Sequence, residues 1–378
     1  MKSLTFYLLF FLVFGLSMSS SEDKPRLREF GIETGVLKPG QWNAITDVSG
    51  IKVGHITLIE GDKIRTGVTA ILPHEGNIYQ ESVPGAMYVA NGYGKLMGYT
   101  QVTELGNIET PIVLTNTLSV PTAANALISF TLGLAGNENV YSVNAVVGET
   151  NDGFLNDIRG RHVKESHVIE AIKNAKSGPV EEGCVGAGTG TQCFKWKGGI
   201  GTSSRKLPDS RGGYTVGVLV QTNFGGILQI NGYPIEKEIG NYYMAGERGS
   251  LSEGSCMIVV ATDAPLDSRN LSRLAKRALL GIPRTGGFYA NGSGDYAIAF
   301  STALEVRIQR TSNEKTLKIE VLRNELMSPL FLAAAEAAEE AILNSMFKAT
   351  TMEGRDGNKL EALPLEKVRE IMKWRQKE

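Results

Sequence analysis

The chain reads as an α/β protein, and three observations predict it. Short apolar runs rich in β-branched residues alternate with longer segments at helical spacing along most of its 378 residues. Hydrophobic residues make up 42% of the sequence, enough for a sizeable core. The 44 glycines are scattered among the apolar runs, as tight turns and close backbone approaches require, and are not gathered into a disordered tract.

Residues 22–44 read as an irregular extended lead-in. "SGIKVGHITL" (49–58) and "RTGVTAILP" (65–73) alternate or run apolar and read as strands. "PIVLTNT" (111–117) is a third short apolar run. "VPTAANALISFTLGLA" (120–135) has helical spacing, with Pro121 near its start, where a missing N–H costs nothing. "VYSVNAVVGET" (140–150) reads as a buried strand and "KESHVIEAIKNAK" (164–176) as an amphipathic helix with a basic last turn. The Gly/Ser/Thr-rich stretch 183–213 has little periodicity and reads as loop or short hairpins.

"YTVGVLVQTNFG" (214–225) is a clear strand ending at polar Asn223, and "SCMIVVATDAP" (255–265) is another. "DSRNLSRLAKRALLG" (267–281) is a helix with Asp267 as N-cap and Gly281 as the residue past its end. "DYAIAFST" (295–302) and "TLKIEVLR" (316–323) read as strands. "SPLFLAAAEAAEEAILNSMFKA" (328–349) and "PLEKVREIMKWRQ" (364–376) read as helices. Two polar linkers stand out, 238–254 and 350–363, and the first is the kind of exposed segment that is readily cut.

Composition narrows the partners. The 39 Lys and Arg balance 40 Asp and Glu, for a net charge of -1, which argues against nucleic acid and gives no polybasic membrane signal. Lys2, the apolar run 4–16 and the small residues of 17–21 form a signal peptide, taken as 1–19. The expected product is secreted or periplasmic, and no later run approaches the roughly 18 apolar residues of a membrane span. Export permits a Cys184–Cys193 disulfide, while Cys256 suits a core strand. His162 and His167 are five apart and fit neither face of a helix, so no metal and no cofactor are expected.

The chemistry gathers around "LSEGSCMIVVATDAP" (251–265). Ser255 opens an apolar strand with no histidine near it in sequence, and a serine hydroxyl is a poor nucleophile without a base. On spacing alone an ordinary Gly-Ser turn is the commoner reading. Cleavage at Gly254-Ser255 would supply a base. The new α-amino group has an ordinary pKa of about 7.7–8.0 and sits beside the hydroxyl. In "ANGSGDYAIAF" (290–300), Ser293 and Asp295 are two apart and face the same way in an extended segment, so a hydroxyl and a carboxylate converge there. Asn223 ends its strand with an amide able to bind an oxyanion, or simply to cap backbone. "GETNDGFLND" (148–157) brings Glu149, Asp152 and Asp157 into one turn, at a spacing that is not that of an EF-hand.

Taken in order, "NAITDVSGIKVGH", "RTGVTAILP", "GGYTVGVLVQTNFG", "GSCMIVVATDAPL" and "RTGGFYANGSGDYAIAFST" closely resemble the self-processing aminopeptidases of the DmpA/BapA type. These are the L-aminopeptidase/D-esterase and β-aminopeptidase enzymes. The likeness runs from about residue 26 to about 350. It implies self-cleavage into an α chain (20–254) and a β chain (255–378) that remain in one αββα sandwich, similar to N-terminal-nucleophile hydrolases but differently connected. It further implies Ser255 as nucleophile, Ser293 and Asp295 as the Ser-x-acid pair, and Asn223 as the oxyanion asparagine. An aromatic hydroxyl of the family falls near Asn151, where this chain has asparagine. Glu149 is the candidate holder of the substrate's free amine. The expected substrates are short peptides and amino-acid amides or esters, and the expected assembly is a homotetramer of αβ units without metal. Two other functions remain open at this point: an acyltransferase similar to ornithine acetyltransferases, and a non-catalytic secreted binding protein.

Overall fold

The computed structural model describes residues 24–240, 242–244 and 254–375, apart from the side chains of 374 and 375. The expected signal peptide, 1–19, and residues 241 and 245–253 of the first linker lie outside the described residues.

Two sheets form the inner layers. Strands β1 (Lys52–Glu60), β2 (Ile64–Leu72), β4 (Ile112–Asn116) and β5 (Val146–Thr150) make a four-stranded sheet in that order, with β4 and β5 parallel. The larger sheet runs β3 (Glu81–Gly92), β9 (Gly294–Ser301), β8 (Ser255–Thr262), β7 (Thr215–Asn223), β6 (Ile200–Lys206). Strands β8 and β9 are parallel and the other neighbours antiparallel. The two-residue strand Ile308–Gln309 lies along the outer edge of β3.

Side-chain alternation assigns each strand residue to a layer. Leu219, Met257, Val259, Ile298 and Phe300 face Ile71, Leu114 and Val146 between the sheets. Val218, Val220, Cys256, Ile258 and Val260 point the other way, against helices α3 (Ser268–Ala278) and α4 (Met327–Phe347). Val68, Val113 and Val147 pack beneath α1 (Val120–Leu132) and α2 (Glu165–Lys173). The result is four layers, helix–sheet–sheet–helix. Each large apolar side chain removed from water contributes about 1.5–3 kcal/mol. Helix α4 rides close on the sheet because Gly201 lies under its Ala341 carbonyl, where a Cβ would overlap.

Several elements differ from expectation. The strand expected over 140–150 is formed only by Val146–Thr150. Strand β3 carries Pro84 and Gly85, which hide it in the sequence. Pro84 precedes the residues that pair with β9, so its missing N–H breaks no bond of that ladder. Strand β6, "IGTSSRK", is polar yet buried. Thr202 Oγ1 donates to the Val218 carbonyl, Ser204 Oγ donates to Asp47, and the fully buried Arg205 meets Glu336 at 3.2 Å and Glu340 at 2.7 Å. Asp267 caps α3 by accepting from the Asn270 N–H at 2.9 Å. Gly281, expected just past that helix, instead starts the turn Gly281–Arg284 and packs against Ala338 of α4. The stretch 316–323 forms no strand, since none of its residues joins a ladder among the described residues. All three cysteines are free. Cys193 is buried beside the Phe224 backbone, whereas the Cys184 Sγ accepts from the Thr350 N–H at 3.3 Å.

Candidate active site

The register of the larger sheet lines up one row at the strand ends. Asn223 lies opposite Ser255, Ser255 opposite Gly294, and Gly294 opposite Gly92. Ser255 has the parity of Met257 and Val259, so its side chain enters the space between the sheets. Asn223 has the parity of Leu219 and does the same from the neighbouring strand. Facing them, Glu149 stands at the end of β5 in the other sheet. A cavity of about 460 Å³ opens between the two strand ends. It is lined by Glu149, Asn151, Asn223, Gly254 and Ser255, with the aromatic rings of Tyr93 and Phe154 at its sides. A smaller apolar hollow of about 280 Å³ beside Tyr79 and Phe130 holds none of these groups.

Each polar group in the cavity is held. The Gly294 N–H points at the junction of β8, 3.1 Å from the Gly254 carbonyl oxygen and 3.3 Å from Ser255 Oγ. The Asn223 Oδ1 accepts from the Gln192 N–H at 3.0 Å, which turns its NH₂ group toward the cavity. The Glu149 carboxylate accepts from the Lys95 N–H at 2.9 Å and from the Thr117 hydroxyl. Burial pushes its pKa above the usual carboxylate range, against those two donors. Thr117 is itself set by Asn116, whose Oδ1 caps the following turn through the Leu118 and Ser119 N–H groups. Asn151 lines the cavity but spends its Oδ1 on the Gly153 N–H, as a turn asparagine does.

Gly254 is fixed by sterics. A Cβ there would overlap the Asn223 carbonyl and meet the Phe224 Cα at 2.6 Å, both backbone atoms that have little room to yield. Gly254→Ala is therefore expected to displace the junction from the Gly294 N–H. Differential scanning calorimetry should show a clear loss of stability, of order 1–3 kcal/mol. A wild-type melting temperature would contradict the described junction.

Ser293 and Asp295 lie beside the junction but do not line the cavity. They do share a face, and the Ser293 hydroxyl and the Cys256 N–H are the donors turned toward the Asp295 carboxylate. That face is the helix side of the sheet, because Asp295 is the register partner of Cys256, whose side chain belongs to that layer. Asp295 is fully buried, neither of its oxygens has a partner at ordinary hydrogen-bond distance, and burial raises its pKa from 3.8 to about 6. The native state thus holds this proton more tightly than the unfolded chain. Its contribution to stability is present at low pH and is lost as pH rises from about 4 through about 6. Thermal melts of Asp295→Asn between pH 4 and 7 should lack that decline. A wild-type slope in the variant would show that Asp295 is not its source.

Of the other carboxylates in the 148–157 turn, Asp152 is buried against Asn156 and Asp157 pairs with His162, so only Glu149 reaches the cavity. The sequence reading missed Thr117, Gly94 and the Lys95 and Gln192 backbone donors. Nothing in a β-strand-ending threonine or an unsigned loop marks them. Close approach explains Gly94: a Cβ there would meet Glu149 Oε1 at 2.7 Å and the Tyr296 hydroxyl at 3.0 Å.

The chain that builds this cavity has known relatives. Residues 43–360 match the model of Peptidase family S58. The β-peptidyl aminopeptidase BapA of Sphingosinicella microcystinivorans is 39% identical over 379 residues, which span 95% of this chain and 94% of that protein. The crystal structure of the PH0078 protein from Pyrococcus horikoshii OT3 superposes with a TM-score of 0.86 at 50% identity, covering 93% of this chain and 99% of that one. The L-aminopeptidase D-Ala-esterase/amidase of Ochrobactrum anthropi, described as a prototype for the serine aminopeptidases and a new variant among the Ntn hydrolase fold, gives a TM-score of 0.86 at 36% identity with the same coverage.

Proposed function

Because the chain belongs to Peptidase family S58 and is a peptide-bond hydrolase of the aminopeptidase kind, we propose that it cuts itself between Gly254 and Ser255 and then releases the first residue of short peptides, amides or esters through an acyl-enzyme on Ser255. The observation that carries this reading is the shared cavity, in which Ser255 faces Asn223 and Glu149 while Gly294 holds the Gly254 carbonyl.

In self-cleavage, Ser255 Oγ attacks the Gly254 carbonyl carbon. The Gly294 N–H stabilises the oxygen as charge develops on it, since a donor already in place needs no reorganisation. The C–N bond breaks, the hydroxyl proton ends on the Ser255 nitrogen, and an ester links Gly254 to Oγ. Water hydrolyses that ester, leaving a Gly254 carboxylate and a Ser255 bearing a free amine.

The free amine then serves as base in turnover. Ser255 Oγ attacks the carbonyl of the substrate's first residue, its proton passes to the Ser255 amine, and the Asn223 NH₂ and Gly294 N–H bind the oxyanion. The proton is delivered to the leaving amine. Water releases the acyl group and restores the hydroxyl. The neutral amine is needed, so activity should climb as pH rises through its ordinary range of about 7.7–8.0. Asp295, beneath the junction, would favour the amine's protonated state as the reaction proceeds, with Ser293 bridging them.

Glu149 would hold the substrate's ammonium, which limits attack to the first peptide bond. Glu149→Gln keeps the shape and removes the charge. KM for an aminoacyl-4-nitroanilide should rise about 10- to 100-fold with kcat changed far less, the worth of one charged hydrogen bond. An unchanged KM would remove Glu149 from this role.

The processed α chain would be 20–254 and the β chain 255–378, with 1–19 removed on export to the periplasm or medium. The units would assemble as a homotetramer. The deciding experiment is intact-mass analysis of the purified protein. Two fragments with Ser255 at a new amino terminus support the reading, and a single uncut chain with full aminopeptidase activity would end it.

A further inference from the structure

The segment 316–322, "TLKIEVL", has the composition of a strand but joins no ladder among the described residues. The chain leaves the body after Arg310, whose N–H donates to the Gln80 carbonyl at 2.9 Å, and rejoins it where the Leu322 N–H donates to the Pro265 carbonyl at 2.8 Å. The stretch between these anchors curls around a hollow of about 640 Å³ lined by its own residues between Arg307 and Lys318. Leu317, Ile319 and Val321 alternate with Lys318 and Glu320, and all three apolar side chains are exposed, at 60%, 42% and 42%. An alternating apolar row left in water on an unpaired backbone is what a strand presents to another chain.

The residue order says which chain. Antiparallel pairing of two copies about a two-fold axis at Ile319 sets Ile319 against Ile319, Leu317 against Val321, and Lys318 against Glu320 in both directions. The apolar row meets an apolar row, and each charge meets its opposite. Moving the axis by one residue puts Lys318 against Lys318 or Glu320 against Glu320. Parallel pairing in register stacks like on like throughout. The self-complementary register ends at Thr316 and Leu322, because beyond them Lys315 would face Arg323. We propose that Thr316–Leu322 is a two-fold docking strand for a second copy of this chain, one isologous contact within the assembled protein. Seven residues per copy bury too little to hold a dimer alone, since a stable interface needs on the order of 1,200 Å² or more. The strand is therefore one part of a larger contact, and like charges forced together across it are expected to break the whole.

The test is the mass of the full-length protein in solution by size-exclusion chromatography with light scattering. Ile319→Lys places two ammonium groups on the axis, and Lys318→Glu sets two carboxylates against each other at each crossing. Either is expected to halve the wild-type mass at micromolar protein, and Lys318→Glu combined with Glu320→Lys is expected to restore it. Ile319→Cys should give a disulfide-linked pair under mild oxidation, because opposed residues of an antiparallel pair have Cα atoms about 4.5–5.5 Å apart, within disulfide range. Wild-type protein, whose three cysteines remain, is the control for that band. A monomeric wild type, or an unchanged mass in both charge variants with no new cross-link in Ile319→Cys, would overturn the proposal. Aminopeptidase activity per chain reports folding in every variant and does not depend on the outcome.

Discussion

Ser255→Ala is expected to leave the protein as one uncut chain and to lower aminopeptidase activity by on the order of 10⁴-fold or more, the scale on which a lost nucleophile acts. Both effects follow from one atom. In the proposed mechanism Oγ is the attacking atom in self-cleavage, and without cleavage no α-amino base would form beside it. The loss should come without unfolding. Strand β8 is buried on both faces, its ladder to β7 and β9 needs only backbone, and the Gly294 N–H still has the Gly254 carbonyl to donate to. A denaturing gel separates the outcomes: a single band with a wild-type melting temperature agrees, whereas two bands from the alanine variant would show that another group cuts the chain. Ser255→Thr keeps a hydroxyl and should retain partial cleavage, which distinguishes loss of chemistry from damage to the junction.

Asn223 carries the second large effect. Replacing it with alanine would remove the side-chain amide that the proposed mechanism directs at the reacting carbonyl, and kcat should fall about 10²- to 10³-fold. The same change strips the Gln192 N–H of its acceptor, at a cost of about 1–3 kcal/mol in stability. Asn223→Asp separates the two. Its carboxylate still accepts from Gln192, so stability is largely kept, but it has no proton to give and repels a developing oxyanion. The aspartate variant should therefore be as slow as the alanine variant or slower. Because the same amide can also affect processing, rates are to be divided by the amount of free Ser255 amino terminus. A kcat within tenfold of wild type in both variants, so normalised, would remove Asn223 from the oxyanion site.

The sequence signals worked where the period was clean. The apolar strands β7 and β8, the capped helix α3 and the alanine-rich α4 are all written in local pattern, and the strand-end positions of Asn223 and Ser255 follow from it. Strand β3 was concealed by Pro84 and Gly85, and β6 by its polar side chains, which are satisfied only by residues far away such as Asp47, Glu336 and Glu340. The site was half legible for the same reason. Spacing two apart correctly puts Ser293 and Asp295 on one face, yet local spacing carries no information about which layer that face meets. Glu149 stood out as one of three carboxylates in a turn, and only the opposition of the two sheets selects it. For 316–323 the local pattern describes a strand that finds no ladder partner among the described residues.

The position of β8 at the middle of its sheet has a thermodynamic consequence. The proposed cut would leave β3, β6 and β7 on one fragment and β8, β9 and α4 on the other, so neither fragment holds a complete sheet. The buried Arg205 and the half-buried Arg28 would belong to one piece and their partners Glu336 and Glu340 to the other. Folding, unimolecular for the uncut chain, would become a bimolecular encounter once the bond is gone. The cut protein should then recover poorly from denaturant in a way that worsens on dilution, while the uncut Ser255→Ala chain recovers at a rate independent of concentration. Maturation would convert an equilibrium fold into one made once and kept by the slowness of its unfolding.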